Sequence, residues 1–378
     1  MRTRVPSSSD ASVSGSAEVS FARRLITWQK AAGRHSLPWQ ETRDPYRIWL
    51  SEIMLQQTQV ATVLPYYERF LARFPDVFAL AGASADDVMA HWSGLGYYSR
   101  ARNLYRSAQQ IASERGGEFP PTAEELMQLP GVGRSTATAI AAFAYGERGA
   151  ILDGNVKRVL CRVFGIERPM DKPATERELV LFATGLLPDT DIGTYTQGLM
   201  DLGATLCTPR RPKCTVCPFA SDCVARRTDR IEMLPTPKSK RMTRVSLASF
   251  VLARHGERVW LERREERGIW GGLWSLPASD IDPKSSEDGP ALANQIAREL
   301  DQEDPSGKPD EFARFEHTFT HFKLLGRVWS VDISDPATAG RAGRWMSLLE
   351  CDALGLPAPI RSLLLVIKND RLPRPGTV

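Results

Sequence analysis

From residue 20 to about 234, apolar positions recur at helical spacing; from 244 onward they take the pattern of strands. Ala22–Ala31 is amphipathic. Asp44-Pro45 is a helix start, with Asp at the N-cap and Pro in the first turn, and Trp49–Thr58 continues as a helical segment. Ala123–Leu129 reads as a short helix stopped by Pro130, followed by an alanine-rich helix over Arg134–Tyr145. Val156, Val159, Leu160, Val163 and Phe164 fall at i, i+3, i+4, i+7 and i+8, a one-sided stripe that faces a core. LPTPKSK, 234–240, is a linker rich in Pro and Lys. Beyond it, Val245–Ala253 and Arg258–Glu262 read as strands joined at His255-Gly256, and Leu324–Ile333 and Arg344–Leu348 as further strands. Helices are expected near Pro290–Leu300 and Pro359–Lys368, and a polar loop over Asp301–Asp310. The chain is thus multidomain: a disordered tail (1–19), an all-α domain (20–233), a linker (234–243), an α+β domain (244–368) and a second tail (369–378).

Composition narrows the class. An apolar content of 42% and a charged content of 25% in 378 residues suit a soluble globular protein. No apolar run approaches the ~18 residues that a membrane-crossing helix needs. The N-terminus has no apolar secretory core, so a cytoplasmic, nucleoid-associated monomer is expected. Net charge is only +4, but its distribution is uneven. Nine basic residues lie between Cys207 and Arg241: Arg210, Arg211, Lys213, Arg226, Arg227, Arg230, Lys238, Lys240 and Arg241. Asp222, Asp229 and Glu232 are the acids that oppose them. Such a segment is either a solvated surface loop or an electrostatic footprint for nucleic acid.

The same segment holds Cys207, Cys214, Cys217 and Cys223, spaced C-x6-C-x2-C-x5-C. Four thiolates in one loop can hold a tetrahedral zinc or a cubane iron–sulfur cluster. One close pair flanked by two longer arms suits a four-cornered cluster better than paired zinc knuckles. Two disulfides would require an oxidising compartment, for which the sequence offers no signal. Cys161 and Cys351 lie in apolar surroundings and read as buried, inert thiols.

Four further segments carry chemistry. LPGVGRSTA, residues 129–137, joins two short helices through a Gly-Val-Gly turn. Gly131 and Gly133 permit positive φ and leave backbone N–H groups bare at a helix start, beside Ser135. This is either an ordinary helical turn or a phosphate site that reads no bases. In ILDGNV, Asp153 precedes the apolar stripe, where a helix N-terminus favours its ionised form. Glu52 is flanked one turn away by Ile48, Trp49 and Leu55, and desolvation there raises a carboxyl pKa toward that of a general acid. Two carboxylates in unlike environments are a recurring route to glycosidic bond cleavage. GLGYYSRARN, residues 94–103, offers Tyr97 or Tyr98 as a wedge between bases with Arg100 and Arg102 near phosphates; a helix-packing tyrosine pair is the bland alternative.

Together with LPWQ (37–40), these motifs resemble the helix-hairpin-helix, iron–sulfur DNA glycosylases, and among them the adenine DNA glycosylases of the MutY type, over residues 20 to 368. The resemblance implies a [4Fe-4S] cluster on Cys207, Cys214, Cys217 and Cys223, and duplex DNA carrying adenine opposite 8-oxoguanine or guanine as partner. It implies that Glu52 protonates adenine N7, that Asp153 stabilises an oxocarbenium ion, and that Asn155 supports the site. Trp39 and Gln197 would line the adenine pocket; Gln57 and Tyr97 would fill the space around the extruded base and its estranged partner. Ser135 stands where glycosylase/lyases of the endonuclease III type carry Lys, which implies hydrolysis by water without strand cleavage; Lys157, close to Asp153, can still trap an aldehyde adventitiously. The C-terminal domain is similar to the Nudix-like module that reads the oxidised guanine, through RGIWGGLWSLP at 267–277. It lacks the acidic metal-binding Nudix box, so binding rather than pyrophosphatase action is expected. Phe319-Thr320-His321 aligns with the family's Phe-Ser-His lesion loop, with Thr in place of Ser. A bifunctional pyrimidine glycosylase/lyase and a non-catalytic, metal-dependent DNA-binding protein are the competing readings, separated by strand cleavage without alkali and by salt-sensitive binding without base release.

Overall fold

The computed structural model describes residues 15–170, 172–237, 244–279, 281, 288–301, 308–319, 321–336 and 342–369, with side chains from Phe21 onward. Both expected tails lie largely outside this range, as do Thr320, Lys238, Lys240, Arg241 and most of the linker. The described helices and strands run in the order α1 (Gly15–Ala32), α2 (Pro45–Leu55), α3 (Val60–Arg73), α4 (Val77–Ala81), α5 (Ala85–Trp92), α6 (Ser99–Glu114), α7 (Ala123–Leu126), α8 (Arg134–Tyr145), α9 (Gly154–Phe164), α10 (Pro173–Gly185), α11 (Ile192–Asp201) and α12 (Val224–Arg227). Then follow β1 (Arg244–His255), β2 (Arg258–Arg263), β3 (Trp274–Ser275), α13 (Gly289–Leu300), β4 (Asp310–Thr318), β5 (Phe322–Asp332), β6 (Arg344–Ser347) and α14 (Ala358–Lys368).

The chain divides into two compact units. The first combines the described chain up to Gln59 with that from Arg106 to the linker. Its core gathers Leu25 of α1, the α9 stripe (Val156, Val159, Leu160, Val163), Tyr195 and Leu199 of α11, and Phe219 of the cysteine loop. Each such large side chain taken out of water contributes on the order of 1.5–3 kcal/mol. Helix ends follow local signals: Asp44 caps α2 by accepting from the Tyr46 amide at 2.9 Å, and left-handed Gly146 and Gly165 close α8 and α9.

The second unit takes Val60–Tyr105 together with the described chain from Arg244. Along the sequence, Val60–Tyr105 reads as part of the helical domain; in packing it belongs with the strands. The sheet is mixed, in the order β3-β2-β1-β5-β4, with β6 paired to β2. β1 and β5 run parallel (Phe250↔Val328), and β4 and β5 form an antiparallel hairpin (Phe315↔Gly326). α13 covers one face through Ala293, Ile296, Ala297 and Leu300.

Three expectations need correction. The Trp49–Thr58 segment is helical only to Leu55, because Gln57 turns the chain at φ +58°. The helix expected to reach Leu129 ends at Leu126. The polar loop expected over Asp301–Asp310, of which 302–307 lie outside the described residues, gives way to β4 already at Asp310; the strand's charged outer face (Arg314, Glu316) hides an inward Phe315 that lies against Gly326, where a Cβ would come within 2.3 Å of the ring. Among the described helices, none is long and apolar enough to cross a membrane.

Candidate active site and cysteine loop

α2 carries Glu52 into the first unit, where the residue is 8% exposed. Its carboxyl is pushed up to about 8, by burial first and by the charge of Asp153 second. Glu52 lines a cavity of ≈490 Å³, whose walls include Trp39, Gln40, Ser51 and Gln197. That volume suits a ligand the size of a nucleobase with part of its sugar.

Asp153 is the N-cap of α9 and accepts from the Val156 amide at 2.7 Å; the Asn155 amide approaches its other oxygen at 3.5 Å. Asn155 itself fits closely, since a Cβ on Gly203 would come within 2.6 Å of its Cβ. Arg158, one turn on, donates to Asn155 Oδ1 (2.8 Å), Gly203 O (2.8 Å) and Cys207 O (2.7 Å). One helix therefore ties the capping carboxylate to the first cysteine.

The sequence reading missed Asp201, which is fully buried at the end of α11. It accepts from Arg34 (N at 2.9 Å, Nε at 2.7 Å) and from Gln197 Nε2 at 2.8 Å. A carboxylate can only accept, so the Gln197 amide nitrogen faces Asp201 and its carbonyl oxygen is left for the cavity. The available signal was an acid inside the apolar run LMDL, four residues after Gln197. In the sequence Gln40 figures only as the last residue of LPWQ. Its Nε2 is buried without a partner, a donor on the cavity wall.

Gly131 turns the hairpin between α7 and α8 at φ +77°. Gly133 does not use positive φ; it is the N-cap of α8, extended at φ −87°, with open space where a Cβ would stand and no side-chain cap. Ser135 lies in the first turn of α8, half-buried. Gln56 braces the hairpin, donating to Thr136 Oγ1 at 3.1 Å and to Gly131 O at 3.4 Å. Exposed Gln57 follows in the left-handed conformation. Lys157 is ion-paired with Glu176 at 2.7 Å.

Cys207, Cys214, Cys217 and Cys223 are free thiols that line one small cavity. A π-helical turn, Leu202–Leu206, delivers the first of them. Buried Arg162 grips the loop, donating to Thr208 O (2.7 Å), Pro209 O (3.1 Å), Leu234 O (2.8 Å) and Cys207 Sγ (3.6 Å). Burial raises the Cys217 thiol to about 11, so four thiolates here need a cationic centre to offset them, and a cluster fits the donor set. No three of the described His, Cys, Asp or Glu side chains are set as ligands of a single ion. Arg210, Arg211, Lys213, Arg226 and Arg227 are exposed around the loop.

In the second unit, Tyr97 is 46% exposed at φ +49°. The β4–β5 hairpin closes with the Phe319 amide donating to Phe322 O at 2.8 Å. The Phe319 ring stacks on Phe322 (centroids 4.6 Å apart, 15° between planes) and meets His317 edge-on at 4.6 Å. His321, at the hairpin tip, is exposed.

Residues 50–183 match the HhH-GPD superfamily of base excision DNA repair proteins, 207–223 the iron–sulfur binding domain of endonuclease III, and 248–365 the NUDIX domain. The chain is 34% identical to an adenine DNA glycosylase of Buchnera aphidicola subsp. Schizaphis graminum over 351 residues, 92% of this chain and 99% of that protein. It is 33% identical to the adenine DNA glycosylase of Homo sapiens, over 94% of this chain and 75% of that one. Among solved structures, a thermostable thymine-DNA glycosylase aligns with a TM-score of 0.53 at 28% identity, covering 57% of this chain and 100% of its own. A trapped endonuclease III–DNA covalent intermediate aligns with a TM-score of 0.50 at 20% identity, covering 58% and 99%, a likeness of fold.

Proposed function

The chain belongs to the adenine DNA glycosylases, base excision repair enzymes that hydrolyse an N-glycosidic bond, and on that premise we propose that it removes adenine paired with 8-oxoguanine, or with guanine, without cutting the strand. The observation that carries this reading is Glu52: a buried carboxyl, protonated at neutral pH, in a nucleobase-sized cavity with Trp39 and Gln197. The Gln197 carbonyl oxygen accepts from the 6-amino group of adenine and would oppose the 6-oxo group of guanine. Gln40 Nε2 supplies a donor to the same base.

Adenine leaves the stack to enter the cavity. Glu52 gives its proton to N7, and the C1′–N9 electron pair goes to the base. Positive charge grows on the sugar beside Asp153, which α9 and Asn155 hold in place. Water attacks C1′; its oxygen becomes the sugar hydroxyl and its proton passes to a carboxylate. Ser135 has no amine with which to form a Schiff base, and Lys157 is held by Glu176, so the product is an abasic site in an intact strand.

Gly131, Gly133 and Ser135 hold phosphate at the start of α8, and the exposed arginines and Lys213 of the cysteine loop add to that footprint. The cluster, bound by the four cysteines, supplies the charge balance that lets this loop fold. The family resemblance assigns Gln57 and Tyr97 to the space around the extruded base and its estranged partner. Phe319, Thr320 and His321 meet the 8-oxoguanine, and the enzyme acts as a monomer on nucleoid DNA. The test is a duplex with adenine opposite 8-oxoguanine, developed with hot alkali. Native protein is expected to release adenine, and Glu52→Gln to be slower by about 10³-fold or more. Absence of alkali-labile product with native protein would sink the reading, and cleavage without alkali would favour the lyase alternative.

A further inference from the structure

The turn Ser93–Tyr98 holds three left-handed residues within four positions: Gly94 at φ +97°, Gly96 at +76° and Tyr97 at +49°. An aromatic residue is rarely found there, and such a conformation persists only where its surroundings over-determine it. Part of the bracing is local. Trp92 Nε1 donates to Gly96 O at 3.1 Å. Buried Arg100 donates to Leu95 O (3.3 Å) and Gly96 O (3.2 Å), with its guanidinium 5.3 Å from the Tyr97 ring centroid.

Tyr66 adds to it, its Oη donating to Ser93 O at 3.1 Å. A further part comes from the far end of the chain, within the same compact unit. Tyr98 Oη donates to Leu356 O at 2.9 Å and accepts from the Gly94 amide at 3.3 Å. Ser93 Oγ donates to the same Leu356 carbonyl at 3.3 Å and accepts from Arg361 Nε, on α14, at 2.9 Å. Arg361 also holds the Leu354 carbonyl, and Gly355 lies so close to α5 that a Cβ would come within 2.5 Å of Met89 Cβ. Tyr98 and Leu356 are buried, so these bonds are shielded from water.

We infer that Tyr98 and Arg361 are positioning residues through which the C-terminal domain fixes the turn that presents Tyr97. The inference rests on the reading of Tyr97 as a base-space residue. The C-terminal domain then acts on DNA twice, at its own hairpin tip and through the wedge that it braces.

Two measurements on the full-length protein test this. Hydrogen exchange of the Tyr98→Phe variant is expected to quicken at the amides of 94–98 by about tenfold or more, with the melting midpoint little changed. Affinity for a duplex with an uncleavable adenosine analogue opposite 8-oxoguanine is expected to fall about tenfold in Tyr98→Phe and in Arg361→Met. That loss is expected to vanish in a Tyr97→Ala background, because both changes act through one side chain. Unchanged exchange at 94–98, or losses that add in full to that of Tyr97→Ala, would overturn the inference. Should Arg361→Met fail to fold, Tyr98→Phe alone decides. Native affinity in Tyr97→Ala would instead overturn the reading of Tyr97, with the exchange result still deciding whether the turn is braced.

Discussion

α8 and α9 begin in opposite ways. Each presents bare backbone N–H groups and the positive end of its dipole. At α9 the chain supplies its own anion, with Asp153 bonded to the Val156 amide at 2.7 Å. At α8 the cap is Gly133, which has no side chain to offer and open space beside it. The same device is filled in one helix and left open in the other. In the proposed reaction the filled start fixes a charge where a sugar cation is to form, and the open start leaves room for a charge brought by DNA.

The largest effect is expected from emptying the filled start of its charge. Asp153→Asn keeps an acceptor for the Val156 amide but removes the anion, so base release in single-turnover assays should fall by about 10³-fold while the melting midpoint moves little. The next effect comes from the proton that faces that charge. In the proposed mechanism Glu52 works as an acid, so the rate should fall by about tenfold per pH unit above about 8. Its pKa is raised in the folded state, so stability is fully present below its ordinary value of 4.5 and is lost as pH rises through about 8. Glu52→Gln should therefore be the more stable protein at pH 9, by up to about 5 kcal/mol in denaturant titration, and no more stable at pH 4.

A smaller effect is expected from filling the open start. Gly133→Asp gives α8 the cap that α9 has; helix stability should rise by about 0.5–1 kcal/mol, while DNA affinity falls about tenfold and the salt dependence of binding loses about one phosphate's worth of slope. A gain in both would break the comparison. The smallest belongs to Gln56→Ala, which removes the brace on the Gly131 turn and should weaken DNA binding a few-fold, in line with the ~1 kcal/mol of a lost hydrogen bond.

Much of this was legible in the sequence because the signals are local. Asp44-Pro45 marks a helix start at the very residues that cap it. Glu52 and Asp153 stood out because a carboxyl in an apolar context is unusual within a single turn. The features that escaped are pairings across long stretches of chain. Asp201 gains meaning only beside Arg34, and Tyr98 only beside Leu356. β4 escaped because an edge strand with one charged face alternates weakly, and only Gly326 opposite it shows what its Phe315 was for. Gly133 looked like a conformational glycine in the sequence; its φ of −87° shows that its use lies in the missing side chain.

In the proposed mechanism Glu52 also sets when the reaction's proton is acquired. With its carboxyl near 8, the enzyme is charged with that proton before any DNA arrives. Loading of adenine into the cavity then exchanges no proton with the buffer at Glu52, and the heat of that step at pH 7 should be the same in buffers of unlike ionisation enthalpy. On that mechanism the encounter resembles a spring already wound: the proton is released inward to N7, and the proton that water gives up as it attacks C1′ is the one that can rewind it.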